Sequence, residues 1–104
     1  MLIQSMLVAA ALQASPMQPL FQYALQSTTP QGTYLTYFSP DGTYTTNVGI
    51  SGVWEVRGNE LCVQRSTGEG GCTAMQPGIQ LGSTWQAVNP TTGQTVTYTV
   101  VPRQ

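Results

Sequence analysis

Residues 52–65 constrain this chain more than any other stretch: GVWEVR, then Gly58-Asn59, then ELCVQR. A two-residue loop with glycine first suits a type II′ turn, whose twist matches that of paired antiparallel strands. The resulting register sets Arg57 opposite Glu60, Val56 opposite Leu61, Glu55 opposite Cys62 and Trp54 opposite Val63. Successive side chains of a strand point to opposite faces. Trp54, Val56, Leu61 and Val63 therefore share a core face, and Glu55, Arg57, Glu60, Cys62 and Gln64 share the other. A slip of one residue would expose the tryptophan, so the register is hard to avoid.

Two more hairpins follow from turn chemistry. Residues 34–38 and 43–48 flank Ser39-Pro40-Asp41-Gly42. Proline presets φ there, Asp41 suits the next position and Gly42 takes the left-handed one. Phe38 then pairs with Tyr44, Thr36 with Thr46 and Tyr34 with Val48 on one face, with Leu35, Tyr37, Thr45 and Asn47 on the other. Residues 85–89 and 94–101 flank Pro90-Thr91-Thr92-Gly93, which sets Trp85 opposite Tyr98 and Ala87 opposite Val96. Residues 20–27 read as an entry strand and 72–75 as a short strand after the loop 66–71.

The expected fold is all-β: an antiparallel meander of about seven or eight short strands, without a helix of usable length. A rolled sheet or small up-and-down barrel closes such a meander with the fewest exposed edges. An outer-membrane barrel is not the expectation, because its strands need roughly 9–11 residues and these are shorter.

The 104 residues make one domain, expected over 16–104, which leaves about 90 residues to bury a core. A covalent tie would help so small a domain. Cys62 and Cys72, the only cysteines, read as a structural disulfide across the 66–71 loop. Closing about eleven residues is worth about 2.5–3 kcal/mol in the loop-entropy description. The spacing is not that of a CxxC redox pair. Metal binding would need two further ligands of a kind the histidine-free sequence lacks, so neither metal nor cofactor is expected. The hairpin register puts Cys62 on the polar face, so the bridge is expected to face outward.

Residues 1–14, MLIQSMLVAAALQA, have the length and apolar run of a secretory signal peptide, with cleavage after Ala14. The run is too short to span a bilayer as a helix. No Lys or Arg precedes it, and Leu12 stands three residues before the break; a helix or strand packed on the domain is the alternative. The reading implies an exported chain, periplasmic or extracellular, with no stable membrane span in its mature form.

The run DGTYTTNVGISGVWEVRGNELC, the second cysteine ten residues on, GIQLGSTW and the closing TVTYTV resemble a group of small exported β-domain proteins of alphaproteobacteria, loosely lipocalin-like. In that group an aspartate-glycine-threonine turn, a glycine-x-tryptophan strand and a paired-cysteine hairpin recur in this order. The resemblance spans residues 33–101. It implies an exported β domain and transfers no site.

Charged residues make up only 7% of the chain, with net charge −1, no lysine and no histidine. Three scattered arginines make no cationic footprint for nucleic acid or an anionic membrane. Without histidine or lysine the usual nucleophile–base pairs cannot form, so an enzyme is not expected. Glu55 and Glu60 share a face, but Arg57 opposite Glu60 reads as a surface ion pair. Asp41 reads as a turn residue and Glu69 as solvent-facing.

The aromatics remain. Tyr34, Phe38, Tyr44, Trp54, Trp85 and Tyr98 fall on core faces, where they fill the interior. Leu35 and Tyr37 fall outside and form a candidate contact surface. Two functions follow. The first is a non-catalytic protein-interaction or envelope-associated module. The second is a lipocalin-like carrier of a small apolar ligand, which a pocket of only a few tens of Å³ between Trp54 and Trp85 would end.

Overall fold

A computed structural model describes residues 16–103; the signal-peptide reading of residues 1–14 lies outside them. A short helix, α1 (Gln18–Gln22), leads into eight strands: β1 (Ala24–Thr29), β2 (Gly32–Phe38), β3 (Thr43–Thr46), β4 (Ser51–Arg57), β5 (Glu60–Arg65), β6 (Gly70–Ala74), β7 (Thr84–Val88) and β8 (Thr95–Val101). All pair antiparallel in one sheet of order β6-β5-β4-β3-β2-β1-β8-β7. Strands β1 to β6 form a meander, and β8 returns to the free side of β1, Ala24 opposite Val101. The sheet thus curls into a nearly closed barrel with one seam, between β6 and β7, that no strand pairing bridges. There the β7–β8 loop lies directly on β6: a Cβ added to Gly71 would meet the Pro90 carbonyl oxygen at 2.3 Å.

The hairpin registers hold, except that the second stops short of its expected Tyr34–Val48 pair. Trp54 pairs with Val63 and Glu55 with Cys62 around the turn at Gly58, whose φ is +60° while no non-glycine among the described residues, Asn59 included, has positive φ, as type II′ requires. Phe38 pairs with Tyr44 and Thr36 with Thr46; Trp85 pairs with Tyr98, ring centroids 5.8 Å apart. Asp41 is a turn residue, its Oδ1 accepting from the Thr43 amide at 3.0 Å and hydroxyl at 2.6 Å.

Three details differ from the sequence expectation. Val48 does not pair with Tyr34 and is 55% exposed. The Thr46 hydroxyl accepts from the Val48 and Ile50 amides and donates to the Ile50 carbonyl, so the chain turns before the strand reaches Val48. Arg57 faces Glu60 in register but its ion pair, 2.8 Å long, is with Glu55 two residues back on the same face. Residues 20–27 do not begin as a strand. Pro19 stands in the first turn of α1, where its missing N–H and fixed φ suit a helix and not a ladder, and β1 starts only at Ala24.

That helix closes one end of the barrel. Met17 and Leu20 are fully buried in the same apolar cluster as Leu25, Phe38, Val96 and Val100, and Phe21 packs on Trp54 with centroids 5.5 Å apart. The Trp54 indole donates to the Ser39 carbonyl at 2.9 Å. Arg103, just past β8, donates to the carbonyls of Leu20, Tyr23 and Phe38 at 3.1, 3.1 and 2.7 Å. It fastens the unpaired C-terminal carbonyls of α1 to the barrel rim.

The disulfide joins Cys62 and Cys72, directly opposite each other on β5 and β6. It lies on the outer face, as the register requires. Cys72 is exposed, whereas Cys62 is only 8% exposed and counts with the buried residues.

Candidate functional site

Closing eight strands leaves the interior to whichever side chains the alternation turns inward. From β1 these are Leu25 and Ser27, from β2 Tyr34, Thr36 and Phe38, and from β5 Leu61, Val63 and Arg65. The bulky rings do not meet completely. Between them lies a cavity of about 80 Å³, lined at one end by Leu20 of α1 and at the other by Thr46, Ile50 and the 89–91 segment. One buried water needs roughly 10–15 Å³, so the space holds several waters or a small organic group. Its wall is mainly apolar.

The end away from α1 is finished differently. Tyr34, Tyr44, Tyr98 and Arg65 line the cavity there together with Asn89. Tyr44 has its ring against Gly52, where an added Cβ would come within 2.8 Å of it, so the glycine makes room for this tyrosine. Asn89 is held by its own loop, Oδ1 accepting from the Thr91 amide at 2.9 Å and hydroxyl at 2.7 Å. Its Nδ2 donates to the Tyr34 hydroxyl at 3.2 Å, tying β2 to the end of β7 across the barrel mouth. We call this ring of polar groups the collar.

Burial sets the protonation state of the collar. It pushes the Tyr98 phenol up to about 12, with neighbouring Tyr34 adding to the effect. It raises Tyr44 also, although the nearby positive charge of Arg65 works the other way. Both phenols are therefore neutral, with an O–H to donate, at any ordinary pH.

Two further hydroxyls lie deeper. Ser27 is 2% and Thr36 8% exposed, and both line the cavity. Neither hydroxyl has a hydrogen-bond partner in the protein, yet no fully enclosed side-chain polar atom among the described residues is left unpartnered. The two hydroxyls must therefore open onto the cavity. Buried polar groups are satisfied by protein or water as a rule, so these mark a place where something else supplies the partner.

Of the residues singled out from the sequence, Tyr34, Phe38, Tyr44, Trp85 and Tyr98 line the cavity; Trp54 packs instead against Phe21 and Phe38 at the helix end. Leu35 and Tyr37 lie outside, as the alternation requires, but both are half-buried. The Arg103 guanidinium lies over the Tyr37 ring, 5.5 Å from its centroid. Arg65, Ser27, Thr36 and Asn89 were not legible as site residues. For Arg65 the signal was present: continuing the alternation of Leu61 and Val63 by one step turns it inward. For Ser27 and Asn89 there was none, because their placement depends on β1 meeting β8 and β7 curling toward β2.

Glu69 bonds the Thr67 hydroxyl in the 66–69 loop, which holds its carboxyl below the usual range. Among the described residues no group of three or more His, Cys, Asp or Glu side chains could hold a metal ion, and no helix is long and apolar enough to cross a membrane. No family model matches the chain, and neither curated proteins nor solved structures give a match. The site must be read from its own geometry.

Proposed function

We propose that this barrel is a non-catalytic binding module that takes a small, mainly apolar molecule into its interior. The observation that carries the reading is the cavity itself, of about 80 Å³ with apolar walls and the partnerless hydroxyls of Ser27 and Thr36 opening onto it. An interior meant only for packing would be filled, since unfilled volume and unpaired hydroxyls both weaken a core. The cavity lies beside Trp85 and away from Trp54, and at about 80 Å³ it admits only a small molecule. A protein-interaction role through Leu35 and Tyr37 has less behind it, because Arg103 already covers the Tyr37 ring.

The same proposal places the protein outside the cytoplasm, with residues 1–14 as a removable leader. A surface disulfide such as Cys62–Cys72 persists in oxidising compartments. Non-reducing mass measurement on protein expressed with its own leader reads cleavage and bridge together. For binding, amide chemical shifts would be followed while a panel of small alcohols, ketones and acids is added. Saturable shifts confined to Ser27, Thr36, Trp85 and Tyr98 are expected. Shifts that never saturate, or that fall on the outer face, would remove the reading.

A further inference from the structure

Which end of a ligand the collar would hold can be read from its charges. Among the described residues Arg65 is the only charged one lining the cavity. It sits at the end of β5, on the inward side with Leu61 and Val63, and is half-buried. It forms no ion pair: among the described residues Arg57–Glu55 is the one salt bridge. The carboxylates are engaged or remote. Asp41 bonds Thr43 and Glu55 bonds Arg57. Glu60 lies at the opposite end of β5; Glu69 bonds Thr67, and although its charge reaches Arg65 and Tyr44 it makes no ion pair with Arg65. An arginine at the edge of an apolar cavity with no ion-pair partner attracts an anion more strongly than one in water, because the surroundings screen less.

The neighbours fit the same chemistry. Tyr44 and Tyr98 present phenolic O–H groups that stay protonated, and the Ser27 and Thr36 hydroxyls can each donate to an acceptor. Donors from several directions and one cation suit a carboxylate, with two oxygens to accept them. The walls toward Leu20, Leu25 and Phe38 offer nothing polar and suit a short hydrocarbon tail. The size of the cavity keeps that tail short.

We propose that the cavity binds a short-chain monocarboxylate, its carboxylate at Arg65 and its tail pointing toward α1. This rests on the reading of the barrel as a small-molecule binder and adds the chemical class of the ligand.

The full chain, oxidised, would be titrated at constant salt with butanoate, 1-butanol and butylamine, which share a tail and differ in the head. Amide shifts at Ser27, Thr36 and Arg65 give each dissociation constant. Butanoate is expected to bind at least about tenfold more tightly than the other two, the margin typical of a charge-assisted hydrogen bond over a neutral one. In Arg65→Gln that margin should fall to about twofold or less while 1-butanol binds as before; Arg65→Lys should keep part of it. Butanol or butylamine binding as tightly as butanoate would overturn the proposal and leave the barrel a small-molecule binder. Equal loss of acid and alcohol in Arg65→Gln would also overturn it, since the arginine would then be structural. No binding of any of the three would overturn it together with the reading it rests on.

Discussion

The two ends of the barrel are built from the same eight strands and finished in opposite ways. At one end α1 lays Met17 and Leu20 into the opening, Trp54 stacks beside them, and Arg103 takes up carbonyls of the helix and of β2. There the helix covers the opening and its last carbonyls are paired. At the other end three tyrosines, an arginine and buried hydroxyls surround a cavity, and the Asn89–Tyr34 bond spans the opening. One end concentrates stabilising contacts; the other leaves them unmade. The contrast teaches where to look for function in such a barrel: at the end that is less well packed than the chain could have made it.

The sharpest way to break the comparison is to damage the filled end. Leu20 is 1% exposed, and Leu20→Ala should cost about 3 kcal/mol by the usual transfer-plus-cavity reasoning. Urea denaturation measures it, and a loss below about 1 kcal/mol would make the ends equivalent. The disulfide tests whether the sheet holds without its staple. Replacing Cys62 and Cys72 together by alanine should lower stability by about 2.5–3 kcal/mol, with the all-β circular dichroism spectrum unchanged.

Alkali probes the collar alone. Tyr98 is raised from the ordinary tyrosine value to about 12 in the folded state. The unfolded chain therefore loses that proton first, and the stability the neutral phenol contributes is fully present below pH ~10. It should decline as pH rises from there through about 12, with phenolate absorbance and unfolding rising together. Titration of Tyr98 near 10 without loss of structure would show the collar to be more open to water than described.

The smallest effect is expected where the other end would show a large one. Arg65→Leu and Thr36→Val remove polar groups that have no protein partner, and each should leave the melting temperature unchanged or raise it slightly. Clear destabilisation by either would mean that the collar is structural after all.

How much of this was legible depends on the range of the interaction. The register at Trp54–Val63, Phe38–Tyr44 and Trp85–Tyr98 follows from turn residues and a period of two, both local, and it held. The outward bridge followed from the same register. Misread features turned on competition between a side chain and the ladder, or on contacts between distant segments. The Thr46 hydroxyl captures Ile50 before Val48 can pair, and Pro19 diverts the entry strand into a helix. Arg103 finds Leu20 and Phe38 only once β8 lies beside β1. The collar is legible last of all, since it draws on four strands that no local pattern brings together.

The placement of the seam also bears on how the chain reaches its fold. Within the described residues every strand pairs with a neighbour in sequence, except that β1 must wait for β8. That one pairing closes a loop of more than sixty residues between Thr29 and Thr95, and non-local closure is what slows the folding of β proteins. A circular permutant joining residue 103 to residue 16 and opening within 75–83 would run β7-β8-β1 to β6, making every pairing local without changing a strand neighbour. It should refold several-fold faster than the natural order in stopped-flow fluorescence, while unfolding at a similar rate; equal refolding rates would place the slow step elsewhere. The unbridged seam is thus the one place where this sheet could be cut and leave all its hydrogen-bonded pairs in a simple line.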